Sequence, residues 1–226
     1  MVSNLRNNHI FYRISGERTE NLNIEYFKKI EQNYRTQLNP HLPIIVRFDG
    51  KNVTKDHKRF HLLQPNGFTD AITSAAIHLA EHGDCAIYSY LDEVSVIFLD
   101  AQDLFSLTED YDLLYSAVMI LQIFKDYLPE DLKKVKFNIS VFNIPEDQCF
   151  NYILYRRHYC EEASLVYYAK EYFPKNFYHR KNRTELFGKL LRHGHDEIIS
   201  PEFRWFFKGR LYIRKGNNYE EIKNEK

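Results

Sequence analysis

Three carboxylates stand where they could do chemistry: Asp49 in PIIVRFDGKN, and Asp92 with Glu93 in CAIYSYLDEVSVIFLD. Both sites adjoin apolar, β-branched runs. A strand end can present a carboxylate without burying an unpaired charge. Two such carboxylates can share divalent cations, and a pair of ions roughly 3.5–4 Å apart is the usual means of moving nucleotidyl groups. Gly50 follows Asp49 at once. It permits a tight turn, and its carbonyl is a further oxygen ligand for Mg²⁺. The competing reading is that Asp49 and Asp92 cap turns, where Asp is common. Glu93 adjoins Asp92, so in extended backbone it points to the opposite face, as a further ligand or as a support for one.

Cations lie close by. Arg47 shares a strand face with Asp49 and either meets a phosphate or pairs with the carboxylates. Lys51, Asn52, Lys55, Lys58 and Arg59 follow in the polar segment after the strand. They could contact a triphosphate or form a solvated basic loop. His57 and His61 lack carboxylate or Cys company at metal spacing and read as loop or phosphate contacts.

These residues need elements to hold them. A helical stretch around NIEYFKKIEQNYRTQL precedes Pro43, and IIVRFD then reads as a buried strand. FTDAITSAAIHLAEHG has helical spacing with Gly83 as its stop. CAIYSYL and VSVIFLD form a hairpin with Asp92-Glu93 at or beside its turn. YDLLYSAVMILQIFKDYL is a second helix, and VKFNISVFNI a further strand ended by Pro145. The order strand, helix, strand, strand, helix, strand is the split βαβ, ferredoxin-like plan (βαββαβ), the α/β palm of polymerases and nucleotide cyclases. In that sheet the first strand neighbours the hairpin, so Asp49 and Asp92 would face each other. Helices at about 146–172 and 184–193 follow, then a strand or strand pair around FRWFFKGRLYIRK and a frayed tail, GNNYEEIKNEK. The expected organisation over 1–226 is one domain: a palm core at about 40–150 and a basic extension at about 151–215.

Length and composition suit a buried core: 226 residues, 44% hydrophobic and 27% charged. Net charge is zero but uneven. Residues 170–226 hold 14 Lys and Arg against 8 Asp and Glu, while 1–169 hold 17 against 23. A basic quarter on an acidic body points to a lobe that contacts a polyanion, or to an ordinary solvated face. Within it Lys208, Arg210 and Arg214 alternate with Trp205, Phe207 and Tyr212, a mixture that suits RNA backbone and base stacking as well as an amphipathic strand. Cys85, Cys149 and Cys160 include no CxxC pair, so zinc is not expected; reduced thiols in a cytoplasmic protein are the simpler account. No signal-peptide h-region and no membrane-length apolar run is present in the sequence. P-loop and GxSxG motifs are absent from it as well.

PIIVRFDGKN with its basic segment and QPNG resembles the opening motif of the tRNA-histidine guanylyltransferase family. YSYLDEVSVIF is similar to that family's Asp-Glu hairpin. FNISVFNIPEDQCFNYILYRR resembles its following strand and Trp-Arg helix, with Tyr155-Arg156 at the Trp-Arg position. YHRKN resembles a His-Gly-Lys-Ser segment, and WFFKGRLYIRK a terminal basic strand. The resemblance covers roughly residues 40–215. It implies two Mg²⁺ ions on Asp49, Gly50 and Asp92, with Glu93 alongside. It implies ATP or GTP as substrates, and 3′-to-5′ addition of nucleotides to the 5′ end of tRNA or a similar RNA. Arg156, His179, Lys181 and Arg183 would contact RNA or nucleotide phosphates, and the enzyme would be a dimer or tetramer. Departures from the pattern include Gln64, Leu91 and Glu162-Ala163-Ser164. Glu109, Asp110 and Asp112 stand where the family carries basic groups for the triphosphate. They keep open a palm-type nucleotide cyclase or second-messenger synthase, or a non-catalytic RNA- or nucleotide-binding protein.

Overall fold

The β-branched run behind Pro43 becomes β1, Ile44–Gly50, and it lies inside the sheet rather than at an edge. The computed structural model describes residues 23–32, 38–39, 41–53, 60, 62–64, 67–81, 83–100, 113–215 and 218–222. Antiparallel partners flank β1 on both sides: β3, Glu93–Asp100, and β4, Phe137–Asn143. β2, Asp84–Tyr90, pairs with β3, and the helices α2, Phe68–Ala80, and α3, Leu113–Asp126, complete the βαββαβ unit. The sheet order β4-β1-β3-β2 is the ferredoxin-like palm that the element order predicts. An N-terminal helix, α1, spans Ile24–Gln32.

Period-two alternation divides β1 between two layers. Phe48 stacks on Phe124 of α3 with ring centroids 3.9 Å apart. Arg47 and Asp49 take the opposite face, beneath α4, Cys149–Tyr172. That helix is about 36 Å long at 1.5 Å per residue. It buries residues around most of its circumference, because the sheet lies on one side and C-terminal helices on the other. Those are α5, Lys175–Tyr178, α6, Arg183–Arg192, and α7, Arg204–Lys208.

Two expectations at the C-terminus need correction. FRWFFK is helical, not a strand: residues 204–208 form α7, and only β5, Arg210–Lys215, is extended. Packing overrides the aromatic preference for strands. Phe206 and Phe207 are buried, and the Ser164 hydroxyl of α4 donates to the Phe206 carbonyl at 2.7 Å. Gly209 ends the helix at φ 67°, where an added Cβ would lie 2.6 Å from Cζ of Tyr88. The tail is not wholly frayed either. Asn218–Glu221 form β6 on the edge of β5, and Tyr219 donates to the Ala80 carbonyl at 2.8 Å.

Candidate active site

Asp49 lies directly opposite Glu93 in the β1–β3 register, not opposite Asp92. Asp92 is one step farther on, in the two-residue loop Leu91-Asp92 between β2 and β3. Strand alternation does not extend through that turn, and Asp92 and Glu93 both border the same cleft. All three carboxylate residues line one cleft of about 460 Å³. The Gly50 N–H donates to the Asp92 carbonyl at 2.8 Å, tying the loop to the end of β1. Leu91 has φ 45°, a conformation unusual for a bulky side chain. Its carbonyl accepts from the Thr69 hydroxyl at 2.6 Å, so α2 helps to hold the turn.

The far wall of the cleft is α4. Tyr159, Glu162, Ala163, Val166, Tyr167 and Lys170 recur at three- and four-residue spacing, one face of a helix. The sequence reading missed Tyr159, Tyr167 and Lys170, although that spacing was the available signal. With Asp49, Asp92, Glu93 and Glu162 against Lys170, the lining is acidic. Burial, and then the charge of Glu93, push the Asp49 carboxyl above the ordinary range, against the pull of Arg47 and Arg156.

Arg156 overturns its expectation as an RNA contact. It is 5% exposed and forks onto Glu93: Nε donates to Oε1 at 2.8 Å and Nη2 to Oε2. The same Nη2 donates to the Tyr90 hydroxyl at 2.7 Å. Its guanidinium also lies 5.1 and 5.2 Å from the ring centres of Tyr155 and Tyr159. Glu93 is equally buried and held by both oxygens, so it borders the site as a fixed charge.

Among the described residues no group of three or more His, Cys, Asp or Glu could hold a metal ion. Mg²⁺ does not need such a cage, since it keeps several waters and is bound through one or two carboxylates plus substrate phosphates. Asp49, Asp92 and the adjoining backbone are hard oxygen donors in one open cleft, so this donor set fits that ion.

The other expected residues scatter. Arg47 donates to the Ser140 hydroxyl at 3.2 Å, within the sheet. Lys51 and Asn52 are exposed in the turn after β1, Asn52 at φ 66°. Lys55, Lys58, Arg59, His57, His61, Glu109, Asp110 and Asp112 lie outside the described residues. His179 and Lys181 are exposed. Arg210 pairs with Asp70 and sits 4.5 Å from the Trp205 ring centre, while Arg214 donates to the Gly83 carbonyl at 3.1 Å. Those two read better as braces between β5 and the palm than as RNA contacts. Arg183 and Lys208 line a different cavity.

Comparison with known proteins matches this site's setting. The family model for Thg1, tRNAHis guanylyltransferase, matches residues 24–143, more than half of the chain. A solved bacterial tRNA(His) guanylyltransferase (Thg1)-like protein in complex with ATP is similar at a TM-score of 0.63 and 21% identity, covering 88% of this chain and 91% of that one. A structure of such a bacterial protein in complex with GTP gives 0.55 and 19%, covering 89% and 91%. The tRNA(His) guanylyltransferase of Saccharomyces cerevisiae gives 0.63 and 20%, covering 88% and 94%. No curated protein sequence matches the chain.

Proposed function

The chain belongs to the tRNAHis guanylyltransferase family of nucleotidyltransferases, and from that premise we propose that it adds nucleotides in the 3′-to-5′ direction to the 5′ end of tRNA or a similar RNA. The observation that carries the reading is the single cleft lined by Asp49 and Asp92, with Gly50 hydrogen-bonded to the Asp92 backbone between them.

Asp49, Asp92 and the Gly50 carbonyl would hold two Mg²⁺ ions, which when bound neutralise charge on the phosphate and lower the pKa of the attacking hydroxyl. Glu93, gripped by Arg156, keeps the β3 end in register with Asp49. Lys170 is the cation of the cleft wall and is positioned to meet a substrate phosphate. ATP and GTP, bound in two of the similar solved structures, are the proposed substrates. Arg47, Lys51, Asn52, Lys55, Lys58 and Arg59 are the proposed triphosphate side, and exposed His179 and Lys181 the proposed RNA contacts. A palm core at 40–150, a basic extension at 151–215, a homo-oligomer and a cytoplasmic location belong to the same proposal. Three free, buried cysteines agree with that location. Among the described residues no helix is long and apolar enough to cross a membrane.

The test is incorporation of labelled nucleotide into a 5′-truncated tRNA with Mg²⁺. Asp49→Ala and Asp92→Ala should each lower the rate by about 10²-fold or more. Equal trace incorporation by the wild-type protein and the double variant would overturn the proposal.

A further inference from the structure

A second cavity, of about 400 Å³, lies across α4 from the acidic cleft. Glu161 and Leu165 line it. At about 100° per residue they project roughly half a turn round the helix from Tyr159, Ala163 and Tyr167. Its charge is opposite to that of the cleft. Arg183 from α6 and Arg204 and Lys208 from α7 line it, and Glu161 is the one acid among its lining residues. The Glu161 side chain is only 10% exposed and is held by Arg183 Nη1 at 2.5 Å and by Arg157 Nε at 3.4 Å. Three cations and one carboxylate thus line the cavity, and a fourth cation, Arg157, reaches that carboxylate from α4. The cations' mutual repulsion is felt: burial, and then Arg157 and Arg204, lower the Lys208 pKa, with Glu161 opposing. Beside the cations the wall is apolar, including Phe187 and the exposed Ile199.

Such a lining suits a ligand with an anionic end and a flat, apolar body. Guanidinium forks match phosphate oxygens. An aromatic and aliphatic wall accepts a base, and the volume is that of a small-ligand site. We propose that this cavity binds the phosphate of a nucleotide with its base against the Phe187–Ile199 wall, the nucleotide being either a free nucleoside triphosphate or the phosphorylated end of an RNA. Binding here needs no divalent ion, because the protein supplies the countercharge. The acidic cleft, by contrast, repels a polyphosphate without one. The inference does not rest on the transfer reaction proposed above.

The test is titration of the full chain with a fluorescent methylanthraniloyl GTP in EDTA, with inorganic triphosphate as competitor. Wild-type protein and an Asp49→Asn, Asp92→Asn variant should bind alike, whether or not either transfers nucleotides. Arg204→Ala and Lys208→Ala should each weaken binding by about tenfold or more, the worth of a hydrogen bond to a charged group. Arg204→Lys and Lys208→Arg should recover most of the loss, which separates lost charge from misfolding. Displacement by a 5′-phosphorylated RNA oligonucleotide, but not by its 5′-hydroxyl counterpart, would assign the site to an RNA end. Displacement by inorganic triphosphate alone would assign it to a free nucleotide. No binding by wild-type protein in EDTA, or wild-type affinity in both alanine variants, would overturn the proposal.

Discussion

A buried carboxylate is costly unless it is paired and hydrogen-bonded, and Glu93 is both. Arg156 answers its two oxygens with a bidentate fork in a place where each residue is 5% exposed. Removing Arg156 takes the guanidinium fork away from a carboxylate that stays buried. Arg156→Met should therefore cost about 3–5 kcal/mol in urea unfolding, while adding Glu93→Leu should return a large part of it. Additive losses in the double variant would mean that the pair is not a unit. The cysteines make a second residue-scale point. Burial pushes the Cys85, Cys149 and Cys160 thiols up to about 12. Unfolded thiols titrate near about 8.5, so above that pH the unfolded chain loses protons that the folded chain keeps. Stability should be full below about pH 8.5 and fall steadily toward pH 12. Native protein at pH 8 should react slowly with a thiol reagent, and urea should release three fast thiols. Rapid native labelling would contradict the buried placement.

At the scale of elements, the site is a junction of three pieces: the end of β1, the β2–β3 turn and the outer half of α4. Gly50 is where the first two meet. A Cβ there would lie 2.7 Å from Val53 Cγ2, 3.2 Å from Phe68 Cζ and 3.3 Å from the Asp92 carbonyl. Gly50→Ala should destabilise by about 1–3 kcal/mol through overpacking. It should also lower nucleotide incorporation by more than the folded fraction accounts for, because the Asp92 loop must shift. A wild-type unfolding midpoint would show that the contact yields without cost.

At the scale of the whole molecule, α4 divides two regions of opposite charge. The acidic cleft is on its sheet side and the cationic cavity on the other. The even overall balance of 31 basic and 31 acidic residues conceals that division. The basic C-terminal quarter is thus not one surface. Arg210 pairs with Asp70, Arg214 with the Gly83 carbonyl, and Arg183 and Lys208 turn into the cavity.

The palm and the position of Asp49 were legible because local signals carry them. Pro43, Gly50, Gly83 and Pro145 punctuate the elements, and short apolar, β-branched runs reveal β1 and β3 within a few residues. What followed from the sequence alone was a βαββαβ sheet with carboxylates at its strand ends. Tertiary structure decided the rest, because the deciding contacts are remote in sequence. Arg156 reaches Glu93 across 63 positions, which turns an expected RNA contact into an internal brace. Ser164 and the buried Phe206 turn an expected strand into α7, and Tyr219 bonds across 139 positions to make a strand of an expected tail. Propensity and periodicity describe how a segment can fold; whether a cation faces solvent, a carboxylate or a second cation depends on what the fold places beside it.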